Sequence, residues 1–126
     1  MQEIISKNAL KAIGPYSQAV SNGTMLFVSG QLPIDPTNLK MPETIEEQTK
    51  QSIQNIQMIL MEAGLSLEHV IKTTVYLQDL QDFDKMNEVY DQCFDSPYPA
   101  RSTVQVARLP KDAKVEIEVI AVREEG

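Results

Sequence analysis

Residues 115–122 read Val-Glu-Ile-Glu-Val-Ile-Ala-Val, and this alternation constrains the fold more than any other stretch of the chain. Side chains along a strand point to opposite faces with a period of two. Val115, Ile117, Val119 and Ala121 therefore form one unbroken apolar face, which needs a second layer packed over it. Glu116, Glu118, Ile120 and Val122 point the other way. A face mixing carboxylates with aliphatics suits neither a core nor a fully solvated surface, and it is a candidate for contact between subunits.

The covering layer is legible upstream. Thr44 and Glu47 form a capping box, after which Ile45, Thr49, Ile53, Ile56, Leu60 and Ala63 recur at helical spacing up to the stop at Gly64. Met58, Ile59 and Met61 are expected to widen that helix's apolar face into the core. A second helix from about residue 82 carries Phe83, Met86, Val89, Tyr90, Cys93 and Phe94 on one face, and Pro97 and Pro99 end it. Strands are expected over residues 1–5, 16–20, 24–32, 70–77, 101–107 and 114–123, with Ser21, Asn22 and Gly23 turning a hairpin. The order β-β-β-α-β-α-β-β predicts a single α+β domain spanning residues 1–126, a mixed sheet with two helices packed on one face.

Charge and cysteine usage narrow the function. The net charge of −7, without a run of Lys or Arg, argues against nonspecific nucleic-acid binding, which needs a basic footprint. One cysteine, Cys93, precludes an intrachain disulfide and reads as a buried structural thiol. Short apolar runs and the absence of a signal-like start point to a cytoplasmic protein with no membrane span. Dispersed glycines fit no phosphate loop, the acidic residues fit no calcium loop, and the lone His69 reads as a strand-entry residue. No metal or cofactor is expected.

Arg101 opens the strand at 101–107, directly after Pro97, Tyr98, Pro99 and Ala100. If that strand pairs antiparallel with the last one and turns Val104 and Val106 toward the helices, Arg101, Thr103 and Gln105 join Glu116 and Glu118 on the helix-free face. Parity alone leaves two alternatives open. One is an interstrand salt bridge from Arg101 to Glu116 or Glu118; the other is a small-anion pocket at a subunit boundary.

The segments AIGPYSQAV, LFVSGQLPIDP, KTTVYLQDLQDFDKMNEVY and PARSTVQVARLPKDAKVEIEVIAV, in this order and spacing, closely resemble the reactive intermediate deaminase A (RidA, YjgF-like) family, from about Ala12 to Val122. The resemblance implies a chorismate-mutase-like fold assembled as a homotrimer with pockets between subunits. It implies hydrolysis of 2-enamine and 2-imine acids, released by pyridoxal-phosphate (PLP) enzymes such as threonine and serine dehydratases, to 2-keto acids and ammonia. By this resemblance Arg101 grips the substrate carboxylate, Tyr16 lines the pocket, Glu116 attends the water, Asn87 contributes from a helix, and Ser29 and Gly30 line a strand end. Thr103 stands where close relatives commonly carry cysteine, so its backbone N–H remains as a substrate contact without a thiol. The segment 95–99 is shorter than in several relatives, which bears on the pocket rim. Two rival readings are a non-catalytic module binding small carboxylates and an RNA-cleaving translation inhibitor.

Overall fold

The structure, a computed structural model, describes residues 1–124. Its strands are β1 (Gln2–Ile4), β2 (Ala19–Ser21), β3 (Met25–Gln31), β4 (Val70–Leu77), β5 (Ala100–Gln105) and β6 (Val115–Val122); its α-helices are α1 (Ile45–Glu62) and α2 (Phe83–Cys93). This is the element order expected from the sequence. The strands form one mixed sheet in the order β1-β2-β3-β6-β4-β5. Adjacent strands run antiparallel except β4 and β5, which are parallel because α2 carries the chain back between them.

The alternation in β6 has the predicted consequence. Val115, Ile117, Val119 and Ala121 are buried in one core with Ile53, Ile56, Ile59 and Leu60 of α1 and with Met86, Tyr90 and Phe94 from α2 and its end. Helix α1 begins where Thr44 Oγ1 accepts the Glu47 backbone N–H at 3.1 Å. It ends in a glycine cap: Gly64 adopts φ +76°, and the Leu65 N–H reaches back to the Leu60 carbonyl at 2.8 Å. Met61 departs from expectation, lying exposed on the outer side of the helix.

Three further departures bear on function. The expected strand at 16–20 shortens to β2, which leaves Tyr16 in the preceding loop. Strand β3 contains a bulge: Val28 faces Val119 and Gln31 faces Ile117, so three steps on β3 match two on β6 around Ser29 and Gly30.

The third concerns β5, which does not pair with β6. It is the sheet's edge, bonded to β4, and the register aligns Arg101 with Thr73 and Thr103 with Val75. Thr73 and Val75 in turn align with Val119 and Ile117 on the helix-covered face. Arg101 and Thr103 therefore share the helix side, opposite to Glu116 and Glu118. Val104 points to the helix-free side, 44% exposed. Placing the valines inward inverted the strand; at this edge the inward slots hold a cation and a hydroxyl packed under α2.

Candidate functional site

Arg101 is held by α2. Its Nη1 donates to Asn87 Oδ1 at 2.7 Å. Its guanidinium carbon lies 4.7 Å from the ring centroid of Tyr90 and 5.5 Å from that of Phe83. Stacking on aromatic faces suits a planar cation and leaves its outer N–H fork unspent. Among the described residues the recorded ion pair is Arg108 with Asp112, so neither glutamate of β6 bridges to Arg101. The half-buried charge faces an open groove of about 630 Å³ lined also by Asn87, Glu88, Tyr98 and Pro99. Tyr90 is fixed in turn by a 2.9 Å hydrogen bond between its hydroxyl and Thr73 Oγ1. Burial pushes the Tyr90 hydroxyl up, against the opposing pull of Thr73 and Arg101. Thr103, two residues along β5, has a buried Oγ1 with no hydrogen-bond partner.

The second group forms around the β3 bulge on the helix-free side. Glu116 lies across Gly30 so closely that a Cβ there would stand 2.6 Å from Oε2 and 2.9 Å from Cδ. Glycine at this position therefore makes the seat for the carboxylate. Burial first, and the neighbouring Glu118 charge second, push the Glu116 carboxyl above the usual carboxylate range. Ser29 Oγ donates to the Ser17 carbonyl at 2.6 Å, tying the bulge to the loop that carries Tyr16. Tyr16, Ser29, Gly30 and Glu116 line one cleft of about 710 Å³, with Lys11 and Lys111 also on its wall. Lys111 is held over this cleft with φ +58°, a left-handed conformation rare for a lysine.

The predicted residues thus fall into two sets: Arg101, Asn87 and Thr103 with α2, and Tyr16, Ser29, Gly30 and Glu116 at the bulge. The two cavities share no lining residue. Arg101 is in register with Val119, two strands across from β6 and three residues along from Glu116. The backbones are therefore separated by about 10 Å in each direction, with the sheet between the side chains. One chain does not close them into a single pocket.

Sequence reasoning missed the aromatic bed under Arg101, because Phe83 and Tyr90 lie on the apolar stripe of α2 and read as core. Their i, i+7 spacing over the arginine had no separate signal. His69 fulfils its expected strand-entry role, its Nδ1 accepting the Ser66 N–H at 3.1 Å just before β4. Burial pushes the Cys93 thiol up, in keeping with a packing role. Among the described residues there is no group of three or more His, Cys, Asp or Glu placed to hold a metal, and no helix long and apolar enough to cross a membrane.

Residues 6–123 match the family described as endoribonuclease L-PSP. The chain belongs to that family. A 2-iminobutanoate/2-iminopropanoate deaminase of Salmonella typhimurium is 47% identical to this L-PSP family chain over 123 residues, covering 95% of this chain and 96% of the relative. A RutC family protein of Pyrococcus horikoshii is 54% identical over 126 residues, covering 98% and 100%. The crystal structure of Escherichia coli TdcF with bound serine superposes with a TM-score of 0.94 at 49% identity, covering 98% of this chain and 100% of that one. The RidA/YjgF resemblance read from the four sequence segments is thereby shown, as is the α+β fold it implied.

Proposed function

We propose that this protein is a hydrolytic deaminase that converts 2-imine and 2-enamine acids, such as 2-iminobutanoate and 2-iminopropanoate, into 2-keto acids and ammonia. The observation that carries the proposal is Arg101: a half-buried guanidinium on an aromatic bed, with a neutral amide as its protein partner and an open groove before it. Such a fork fits a carboxylate bidentately and discriminates acids from neutral imines. A relative that bears the deaminase name and another crystallised with serine, itself a small amino acid, agree with a ligand of this class.

The chemistry asks little beyond placement. Water adds to C2 of the iminium, giving a carbinolamine; one water proton reaches the nitrogen, the C2–N bond breaks and ammonia leaves, and the remaining hydroxyl proton is lost to solvent as the keto group forms. Glu116 takes the water proton as carboxylate and returns it to the departing nitrogen, a task suited to a carboxyl whose affinity for protons is raised. Tyr16 supplies a wall and a hydroxyl beside it, Ser29 and Gly30 shape the seat, and Thr103 adds its backbone N–H to the carboxylate grip. Holding substrate against oriented water contributes several of the roughly 7–11 kcal/mol that positioning can supply.

Arg101 and Glu116 meet if the two half-sites come from neighbouring copies. We therefore place the pocket between subunits of a homotrimer, joined through the helix-free face where Phe27, Val104, Ile120 and Val122 leave aliphatic and aromatic surface uncovered. The setting is cytoplasmic, without a cofactor, and the substrate comes from PLP-dependent dehydratases.

The deciding assay couples threonine dehydratase to this protein and traps surviving imine with semicarbazide. Wild type lowers the trapped imine, and Arg101→Ala abolishes the effect. Full activity in Arg101→Ala removes the carboxylate clamp, and binding without turnover by wild type makes the protein a carboxylate-binding module instead. RNA cleavage is supported by the family description, but the net charge of −7 opposes an RNA partner.

A further inference from the structure

Glu118 stands two residues beyond Glu116 on the same face of β6, in register with Thr74 of β4. Its carboxylate accepts a hydrogen bond from the Tyr76 hydroxyl, while Tyr76 itself is in register with Glu116. The tie runs diagonally across the ladder, within the reach of an aromatic side chain on one sheet face. Tyr76 is pushed up to about 12, first by this hydrogen bond, then by burial and by the charges of Glu118 and Glu116. Its hydroxyl thus remains a donor throughout the physiological range and keeps Glu118 in place.

The surrounding cations do not quench Glu118. Lys72 lines the same recess, but its Nζ is engaged with the Thr73 carbonyl at 3.1 Å and with Ser102 Oγ at 3.4 Å. Glu116 meets Tyr76 from β4, Tyr16 and Lys11 from the N-terminal loop, and Lys111 from the loop before β6; the bulge contributes Ser29 and Gly30, which do not titrate. Lys11 and Lys111 line the cleft without an ion pair to Glu116, whereas burial and Glu118 both oppose its ionised form.

We propose that Glu118, tethered by Tyr76, is a positioning residue whose charge, added to the effect of burial, tunes the protonation of Glu116 and so the pH range in which Glu116 accepts the water proton. This deepens the deaminase reading and rests on it. Glu118 touches no substrate; it acts through its neighbour. Because Glu116 must be ionised to take the proton, activity falls on the acid side as Glu116 protonates, and Glu118 moves that limb toward neutrality.

The test titrates the Glu116 carboxyl directly by carbon NMR of glutamate-labelled protein, the resonance assigned by its loss in Glu116→Gln, alongside the pH profile of turnover. In Glu118→Gln the midpoint of Glu116 moves down, and at a fixed pH on the acid limb its ratio of protonated to ionised form falls about three- to tenfold. The turnover limb shifts in the same sense. Glu118→Asp keeps the charge and most of the wild-type midpoint, and Tyr76→Phe, which frees the carboxylate to turn into solvent, reproduces part of the Glu118→Gln displacement. An unmoved midpoint in Glu118→Gln overturns the proposal. So does Glu118→Asp moving it as far as Glu118→Gln, since packing rather than charge is then responsible. Wild-type protein that turns over no imine while the NMR midpoint still responds to Glu118→Gln sinks the deaminase reading and leaves the coupling standing.

Discussion

Replacing Gly30 with alanine separates the chemistry of the bulge from its folding. The added Cβ would stand 2.6 Å from Glu116 Oε2 and 2.9 Å from its Cδ. These atoms are the free end of a flexible side chain, so the carboxylate moves and the backbone stays. Restoring Oε2 to 3.4 Å, where ordinary contact begins, displaces it by about 0.8 Å. A misplacement near 1 Å in a catalytic arrangement costs up to about a hundredfold in rate, so turnover falls about ten- to a hundredfold. Gly30 has no positive φ, so alanine meets no backbone strain there. Stability then stays within about 1 kcal/mol of wild type. The semicarbazide-trapping assay reads the first quantity and urea unfolding the second. In a Glu116→Ala background the glycine substitution has nothing left to displace and adds no further loss. Wild-type turnover in Gly30→Ala refutes the seat, and equal losses in both backgrounds refute its action through Glu116.

The proposed pocket between subunits makes a sharper prediction about mixtures. Arg101→Ala and Glu116→Ala each retain only residual activity alone, but co-expressed in equal amounts they regain about a quarter of wild-type activity, because one interface in four receives both intact residues; no recovery places the site within one chain. The raised proton affinity of Glu116 carries a stability consequence: the folded state binds more protons than the unfolded one between the unfolded value of 4.5 and the higher folded value, so this contribution is full below that window and is lost as pH rises through it. Glu116→Gln removes that slope and raises Tm at neutral pH relative to wild type, and thermal scans showing an unchanged pH slope refute the assignment. Thr44→Ala deletes the acceptor for the Glu47 N–H and costs about 1 kcal/mol in urea unfolding, leaving turnover unchanged.

Where local chemistry decides structure, the sequence was sufficient. The β-branched run over 70–77 became β4 with the expected bounds, and Thr44 and Gly64 bracket α1 as their capping chemistry requires. The two faces of β6 were legible from period alone. Strand pairing was not, because nothing in residues 101–122 distinguishes an antiparallel neighbour from a strand returned beside β4 by α2. The bulge at Ser29 and Gly30 was hidden for a related reason: it shifts the phase of β3 by one residue, and a short strand with a buried Gln31 carries too little pattern to show the change. Candidate site residues entered through the family resemblance, while their separation into two groups on opposite faces of the sheet needed the topology.

The edge position of β5 gives the two half-sites different lifetimes. Glu116 sits on a strand bonded on both sides, inside the most deeply buried part of the sheet, whereas Arg101 sits on a strand bonded on one side alone. Partial opening of the molecule therefore releases the arginine long before it disturbs the glutamate, since edge ladders exchange their amide protons at lower free energy than central ones. On the proposed reading, a carboxylate gripped by Arg101 would span from β5 to whatever lies across the groove and slow that opening. Amide exchange along residues 100–105 would then report occupancy locally, silent to events at β6.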